Sequence, residues 1–237
     1  MGKLAGEMVR VGTRGSQLAR TQTGHVIDQL RSFGFEVQEV IISTRGDQQQ
    51  TVPIAQIGND GVFVRELEKA LLEERIDLAV HSLKDLPTAM TPGLEFACTP
   101  PRATPFDVLV SRDGVGLRDL PADARVGTAS IRRRIQLRAV RPDLQIVAIR
   151  GNVDSRLKRV DERELDAVVL AAAGLERLGR ADCITEVLQP PDFWPAVAQG
   201  SLVIQIKEGN QRVQEILEPI HHSTTYLATG AERALLA

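Results

Sequence analysis

The chain has 237 residues, 43% hydrophobic and 25% charged, with a formal net charge of −2. This composition fits an ordinary soluble globular protein of one large or two small domains and argues against a strongly basic nucleic-acid binder. No run of about 18 apolar residues marks a membrane span, and the charged, glycine-containing stretch Met1 to Arg10 lacks the apolar core of a signal peptide.

In chain order, Met8 to Thr13 reads as a short strand ending near a glycine. A helix follows from Ser16, a good N-cap, with Leu18, Ala19, Val26 and Leu30 on its inner face. Val37 to Thr44 is β-branched and reads as a strand, Thr51 to Asp60 as irregular, and Val62 to Glu74 as a helix. Asp77 to Ser82 is a strand feeding Lys84-Asp85-Leu86-Pro87, where the proline predicts a loop. A second series begins near Asp107. It has strands at Val108 to Ser111 and Arg125 to Thr128, then a helix from Ser130 to about Val140. A strand at Gln145 to Arg150 leads to a helix capped by Asn152 and running through Val160. Ala167 to Ala171 is a buried strand running into a helix at Ala172 to Leu178, and Gly200 to Ile206 reads as a returning strand.

Strands alternating with helices predict a mostly parallel sheet covered on both faces. The halves also repeat one another. Val11-Gly12-Thr13 with Ser16 mirrors Val126-Gly127-Thr128 with Ser130. Thr44-Arg45-Gly46-Asp47 mirrors Ile149-Arg150-Gly151-Asn152, and Ile76 to Val80 mirrors Leu165 to Val169. The expected architecture is α/β, with two similar domains facing across a cleft. Residues 1–100 plus 200–237 form one domain and 105–195 the other, joined by a hinge near Pro100-Pro101 and Pro190-Pro191.

Ligands of such sheets sit beyond the carboxyl ends of the strands. The loops there carry Arg14, Ser16, Asp47, Ser82, Lys84 and Asp85 in the first half, and Ser130, Arg132, Arg133, Arg150 and Arg156 in the second. The chain has 24 arginines and 5 lysines, and the arginine fork holds carboxylates in a bidentate way. A GC-rich genome explains the overall bias equally well, but not the placement of arginines after strands. Many cations and helix starts with few carboxylates call for a polyanionic ligand. Asp85, an isolated anion among them, suits a positive centre or N–H donors on that ligand.

These segments resemble a known family. Val11-Gly12-Thr13-Arg14 with Ser16, Val80-His81-Ser82-Leu83-Lys84-Asp85-Leu86-Pro87, Gly127-Thr128-Ala129-Ser130-Ile131-Arg132-Arg133, and Arg150-Gly151-Asn152-Val153 with Arg156 are similar to motifs of hydroxymethylbilane synthase (porphobilinogen deaminase). So are Leu170 to Leu175 and Pro195-Ala196-Val197 with Gln199-Gly200, and the register holds from about Val9 to the C-terminus. The resemblance implies two periplasmic-binding-protein-like domains. It implies an enzyme that deaminates porphobilinogen and joins four units into a linear tetrapyrrole on a dipyrromethane cofactor. Asp85 is then the catalytic carboxylate. Arg14, Ser16, Ser82, Lys84, Thr128, Ser130, Arg132, Arg133, Arg150 and Arg156 bind acetate and propionate groups, and Asp47, Phe63 and Gln199 belong to cleft loops.

The family carries its cofactor on a cysteine in a third domain. His221 to Ala237 resembles only the beginning of that domain, from about residue 222. Neither Cys98, at an apolar strand end, nor Cys183, after a helix, matches the attachment motif. Noncovalent or absent cofactor, a separate third-domain polypeptide, and a truncated or catalytically impaired pyrrole binder are the alternatives. Asp60, Phe106, Ala198 and Gln205 replace residues usual in the family (lysine, a basic residue, glycine and glutamate). The expected compartment is the cytoplasm and the expected state a monomer, with pyrroles as partners and neither nucleic acid nor membrane. Solute-binding proteins and regulator effector domains share this architecture, but no signal peptide or helix-turn-helix accompanies it. The pair His221-His222 lacks a second pair for a metal site, and Gly12, Gly46 and Gly151 form no dinucleotide fingerprint.

Overall fold

The computed structural model describes residues 8–43 and 64–237. Asp47 and Phe63 lie outside the described residues, as does the segment Thr51 to Asp60. The chain divides into two compact units, residues 1–102 with 201–237 and residues 103–200.

Unit 1 opens with β1 (Met8–Arg14) and α1 (Gln17–Ser32). Ser16 caps α1 as its spacing predicts, its Oγ accepting the Ala19 N–H at 3.3 Å. The buried stripe of α1 is Gln22, Thr23, Val26, Ile27 and Leu30, while Leu18 and Ala19 are only half-buried. The two polar members are tolerated because Gln22 Nε2 donates to Ser82 Oγ at 3.0 Å and Thr23 Oγ1 to Thr13 Oγ1 at 2.8 Å. Then come β2 (Glu36–Ile42), α2 (Arg65–Leu72), β3 (Leu78–Ser82) and β4 (Leu94–Cys98).

In unit 2 the order is β5 (Asp107–Ser111), β6 (Arg125–Gly127), α3 (Ile131–Val140), β7 (Gln145–Val147), α4 (Val153–Asp161), β8 (Ala167–Ala171), α5 (Ala172–Arg177) and β9 (Glu186–Leu188). β7 stops before the predicted end at Arg150, leaving residues 148–150 outside the strand. The chain returns to unit 1 with β10 (Leu202–Lys207), α6 (Gln211–Leu217) and α7 (Ser223–Ala234).

The sheets have orders β2-β1-β3-β10-β4 and β7-β6-β8-β5-β9. In each, the first three strands pair in parallel and the fourth runs antiparallel to both neighbours. The expected mostly parallel sheet therefore contains one reversed strand, supplied by β10 in unit 1 and β5 in unit 2. Apolar clusters cover both faces. Val11, Leu30, Ile204 and Ile216 lie on one side of the first sheet and Leu67, Leu71 and Ile76 on the other. Leu109, Leu137 and Phe193 oppose Ile149, Leu157 and Leu175 across the second. Gly12 and Gly127 mark the same close approach in each: an added Cβ would lie 2.3 Å from Ile76 Cδ1 or 2.7 Å from Ile149 Cδ1. Among the described residues no helix is long and apolar enough to cross a membrane.

Candidate functional site

The described residues of each predicted cluster fall at the carboxyl ends of the parallel strands of their own unit. In unit 1, β1 ends at Arg14 and delivers Ser16 to the start of α1. β3 ends at Ser82, whose hydroxyl is engaged by the Gln22 amide. A single 3-10 turn, Leu83–Asp85, then buries Leu83 and leaves Lys84 and Asp85 exposed. The predicted loop is thus a short helical turn. It is pinned by Leu83 N–H donating to Ser201 O at 3.0 Å and closed by Leu86 N–H donating to Leu83 O at 3.3 Å. Among the described residues nothing pairs with the Asp85 carboxylate. Beneath the turn His81 is buried; burial pushes its pKa down to about 4, a hydrogen bond with Gln205 opposes this and the Arg14 charge adds to it, so the ring is neutral. Gln205 in turn donates to Glu68 Oε1 at 3.1 Å.

In unit 2, Thr128 is buried after β6, its Oγ1 accepting the Ser130 N–H at 3.2 Å. Ser130 caps α3 through the Arg133 N–H at 3.4 Å, and Asn152 caps α4 through the Ser155 N–H at 2.8 Å. The arginines separate into two kinds. Arg133 is buried and spends its fork on the interior, reaching Asp107 Oδ1 at 2.6 and 3.0 Å and Val169 O at 2.8 Å. Arg132 lies 2.7 Å from the other Asp107 oxygen and also donates to Trp194 O. Gln199, expected in a cleft loop, is 1% exposed and donates to Pro105 O at 2.7 Å and Asp107 Oδ1 at 2.9 Å. Burial alone would raise the Asp107 pKa, but the Arg133 and Arg132 charges and the hydrogen bonds hold it below the usual carboxylate range. Asp107 was not singled out from the sequence. A charged residue heading the apolar run Asp107-Val108-Leu109-Val110 was the available signal.

Arg150 and Arg156 are the second kind. Arg150 Nη1 is buried without a hydrogen-bond partner. Arg156 donates through Nε to Gly151 O at 2.9 Å. Its pKa is pushed down by burial first and then by the neighbouring Arg133 and Arg150 charges. Among the described residues no carboxylate pairs with either. Partly buried cations without an anion are costly, and these two are left so among the described residues.

The departures have structural readings. Ala198 is fully buried with φ +57, the left-handed region that favours glycine. Cys98 is buried and its thiol is pushed up to about 12 by burial. Burial likewise raises Cys183, whose Sγ–H donates to Arg180 O at 2.9 Å. Neither thiol is held as a nucleophilic thiolate. His221 and His222 serve the fold: Nδ1 of His221 accepts the Thr99 N–H at 3.4 Å, and Nδ1 of His222 caps α7.

Among solved structures the chain is similar to the periplasmic VFT2 domain of BvgS from Bordetella pertussis, with a TM-score of 0.53, 16% identity, and 96% of this chain and 92% of that chain covered. A double mutant of the same domain gives a TM-score of 0.51 at 16% identity, covering 94% and 92%. The fold is that of the periplasmic-binding-protein-like α/β class, here with cationic loops at the strand ends. A family model described as "Porphobilinogen deaminase, dipyromethane cofactor binding domain" matches residues 9–215. Curated relatives named porphobilinogen deaminase include those of Syntrophobacter fumaroxidans (45% identical, covering 97% of this chain and 75% of the relative) and Syntrophotalea carbinolica (46%, covering 98% and 75%). That of Mycobacteroides abscessus is 48% identical over 97% of this chain and 74% of its own length. The chain belongs to the porphobilinogen deaminase family, whose members are transferases of tetrapyrrole synthesis.

Proposed function

We propose that this chain acts as a hydroxymethylbilane synthase, with Asp85 as its catalytic residue and the arginines of unit 2 as its carboxylate holders. The observation that carries the reading is the contrast, among the described residues, between an exposed, unpaired Asp85 and the half-buried Arg150 and Arg156 with no carboxylate beside them. Porphobilinogen is a pyrrole with acetate and propionate arms, so it presents negative charge at its rim and N–H donors at its ring.

The same residues fit dipyrromethane, which carries the same acidic arms. The orphaned Arg150 Nη1 and the crowded Arg156 guanidinium lack the carboxylates that such a group would bring. Arg150 and Arg156 would hold it, with Arg132, Lys84, Arg14, Thr128 and the Ser16, Ser82 and Ser130 hydroxyls as further donors. When bound, dipyrromethane supplies the pyrrole carbon to which the first substrate unit is joined. Arg133 and Gln199 act indirectly, by holding Asp107 and the loops around it.

Asp85 meets the other end of the chemistry. As the aminomethyl C–N bond of porphobilinogen breaks and ammonia leaves, positive charge builds on the pyrrole. The carboxylate accepts the pyrrole N–H, opposes that charge and assists proton transfer. We place the protein in the cytoplasm as a monomer working on free pyrroles.

The test is porphobilinogen consumption by the purified chain, with mass spectrometry of the product. A linear tetrapyrrole, lost in Asp85→Ala, supports the reading. Dialysis should lower activity and added dipyrromethane restore it. If porphobilinogen stays untouched with dipyrromethane present, the chain binds pyrroles without turning them over.

A further inference from the structure

The segment that leaves the Asp85 turn is Leu86-Pro87-Thr88, and Pro87 has no N–H to offer a neighbour. Its consecutive carbonyls converge on one side chain. Arg233, in the last turn of α7, donates through Nη1 to Leu86 O at 3.2 Å and through Nη2 to Pro87 O at 2.6 Å and Thr88 O at 3.4 Å. Its guanidinium carbon also lies 5.5 Å from the centre of the Phe96 ring, on β4.

This use of an arginine is unusual in two ways. Among the described residues no carboxylate enters the contact, although burial disfavours the Arg233 charge. The inner face of α7 is also polar, with Thr225 and Thr229 buried while Tyr226 and Leu227 are 48% and 69% exposed. The helix is therefore docked by directional contacts rather than by an apolar stripe. His222 N–H donates to Thr99 O at 2.8 Å, Arg102 N–H donates to Thr225 Oγ1 at 3.2 Å, and Arg102 pairs with Glu232. These bonds fix where Arg233 stands. Leu83 N–H bonded to Ser201 O holds the turn from upstream, and Arg233 holds it from downstream.

We propose that Arg233 is a positioning residue for the reaction: by gathering the Leu86, Pro87 and Thr88 carbonyls it fixes the backbone on which Asp85 is carried. The inference rests on the reading of Asp85 as the catalytic residue. A planar fork reaches three carbonyls at once; a lysine ammonium is a point charge on a flexible stem and reproduces only part of that geometry.

Two measurements on the full chain test it. Hydrogen–deuterium exchange over residues 83–90 should accelerate in Arg233→Met, and less so in Arg233→Lys, with the rest of unit 1 unchanged. Steady-state kinetics with porphobilinogen and added dipyrromethane should show kcat falling by about 10 to 100-fold in Arg233→Met, the scale expected of an ångström-level misplacement. KM should stay within about twofold, Arg233→Lys should be intermediate, and added guanidinium should recover part of the loss. Unchanged local exchange with wild-type kcat overturns the proposal. So does Arg233→Lys matching Arg233→Met in kcat while exchange over 83–90 stays normal. An Asp85→Asn control separates the two ideas. If it turns over normally, the Asp85 reading fails. If it is inactive while Arg233→Met behaves as wild type, only the role of Arg233 fails. Should the chain turn nothing over, the exchange experiment alone decides whether Arg233 holds the turn.

Discussion

The two units share one scaffold and differ at one strand end. β3 and β8 occupy the same place in their sheets, and each pairs with the reversed strand, Ser82 opposite Leu202 and Ala171 opposite Asp107. In unit 1 the strand leaves through a one-turn helix that lifts Lys84 and Asp85 into solvent, and its partner is the apolar Leu202. In unit 2 it runs straight into α5 through Ala172 and Ala173, and its partner is the buried carboxylate of Asp107, which holds Arg132 and Arg133. One geometry thus ends in an exposed carboxylate in unit 1 and a buried, arginine-paired carboxylate in unit 2. The difference lies in which unit keeps its carboxylate exposed and which buries it.

The sharpest way to break this division is to remove the exposed carboxylate. Asp85→Asn should lower kcat by about 10²- to 10⁴-fold, the range for loss of a positioned acid–base group. Equilibrium binding of dipyrromethane, measured by calorimetry, should change little. A large loss of binding instead would place Asp85 among the holders. Removing the buried carboxylate should do the opposite. Asp107→Ala leaves two arginines unpaired and should destabilise the protein by about 3–5 kcal/mol in urea unfolding. The pH dependence follows from the depressed Asp107 pKa. With an unfolded aspartate titrating near about 3.9, this stabilisation is fully present above that range and is lost as the pH falls through the lower folded value. Asp107→Asn should remove that acid-dependent increment from a stability–pH profile.

A smaller effect is expected from the unpaired cations. Arg150→Met and Arg156→Met should each weaken dipyrromethane binding by about tenfold, about 1.4 kcal/mol, while thermal stability holds or rises because a half-buried charge without a carboxylate beside it is gone. A fall in stability without loss of binding would make them structural. The smallest expected change is at Ala198. Glycine there relieves a left-handed alanine but adds chain entropy, so Ala198→Gly should gain about 0.5–1 kcal/mol, read as a rise in the urea midpoint.

Local signals carried much of this into the sequence. Ser16, Ser130 and Asn152 are short polar residues just ahead of helical runs, and each caps its helix. The internal repeat was visible because Gly12 and Gly127 answer the same packing demand. Direction was not visible. Nothing within Leu202 to Lys207 says that β10 runs against β3 and β4; its route between the units decides that. Burial of polar residues was not visible either. Gln22 and Thr23 look like solvent-facing helix positions until Ser82 and Thr13 meet them. For the same reason Arg132 and Arg133 could not be told from Arg150 and Arg156, since only the position of Asp107 separates them. The 3-10 turn that ends at Asp85 is not legible either, since Pro87 alone predicts a plain loop.

Gly200 sits at the point where unit 2 ends. Its φ is +87, and an added Cβ would lie 2.5 Å from Ala103 O. Its own carbonyl accepts the Ala103 N–H at 3.2 Å and Arg177 Nη2 at 2.7 Å. The first and last residues of unit 2 are therefore bonded neighbours, and the unit is one uninterrupted stretch of chain closed upon itself. In engineering terms it is a cassette. Its ends can be cut, or joined and reopened at a surface turn such as Asp113-Gly114, without pulling apart any strand of either sheet. Such a permuted or excised segment would carry the whole arginine cluster with it.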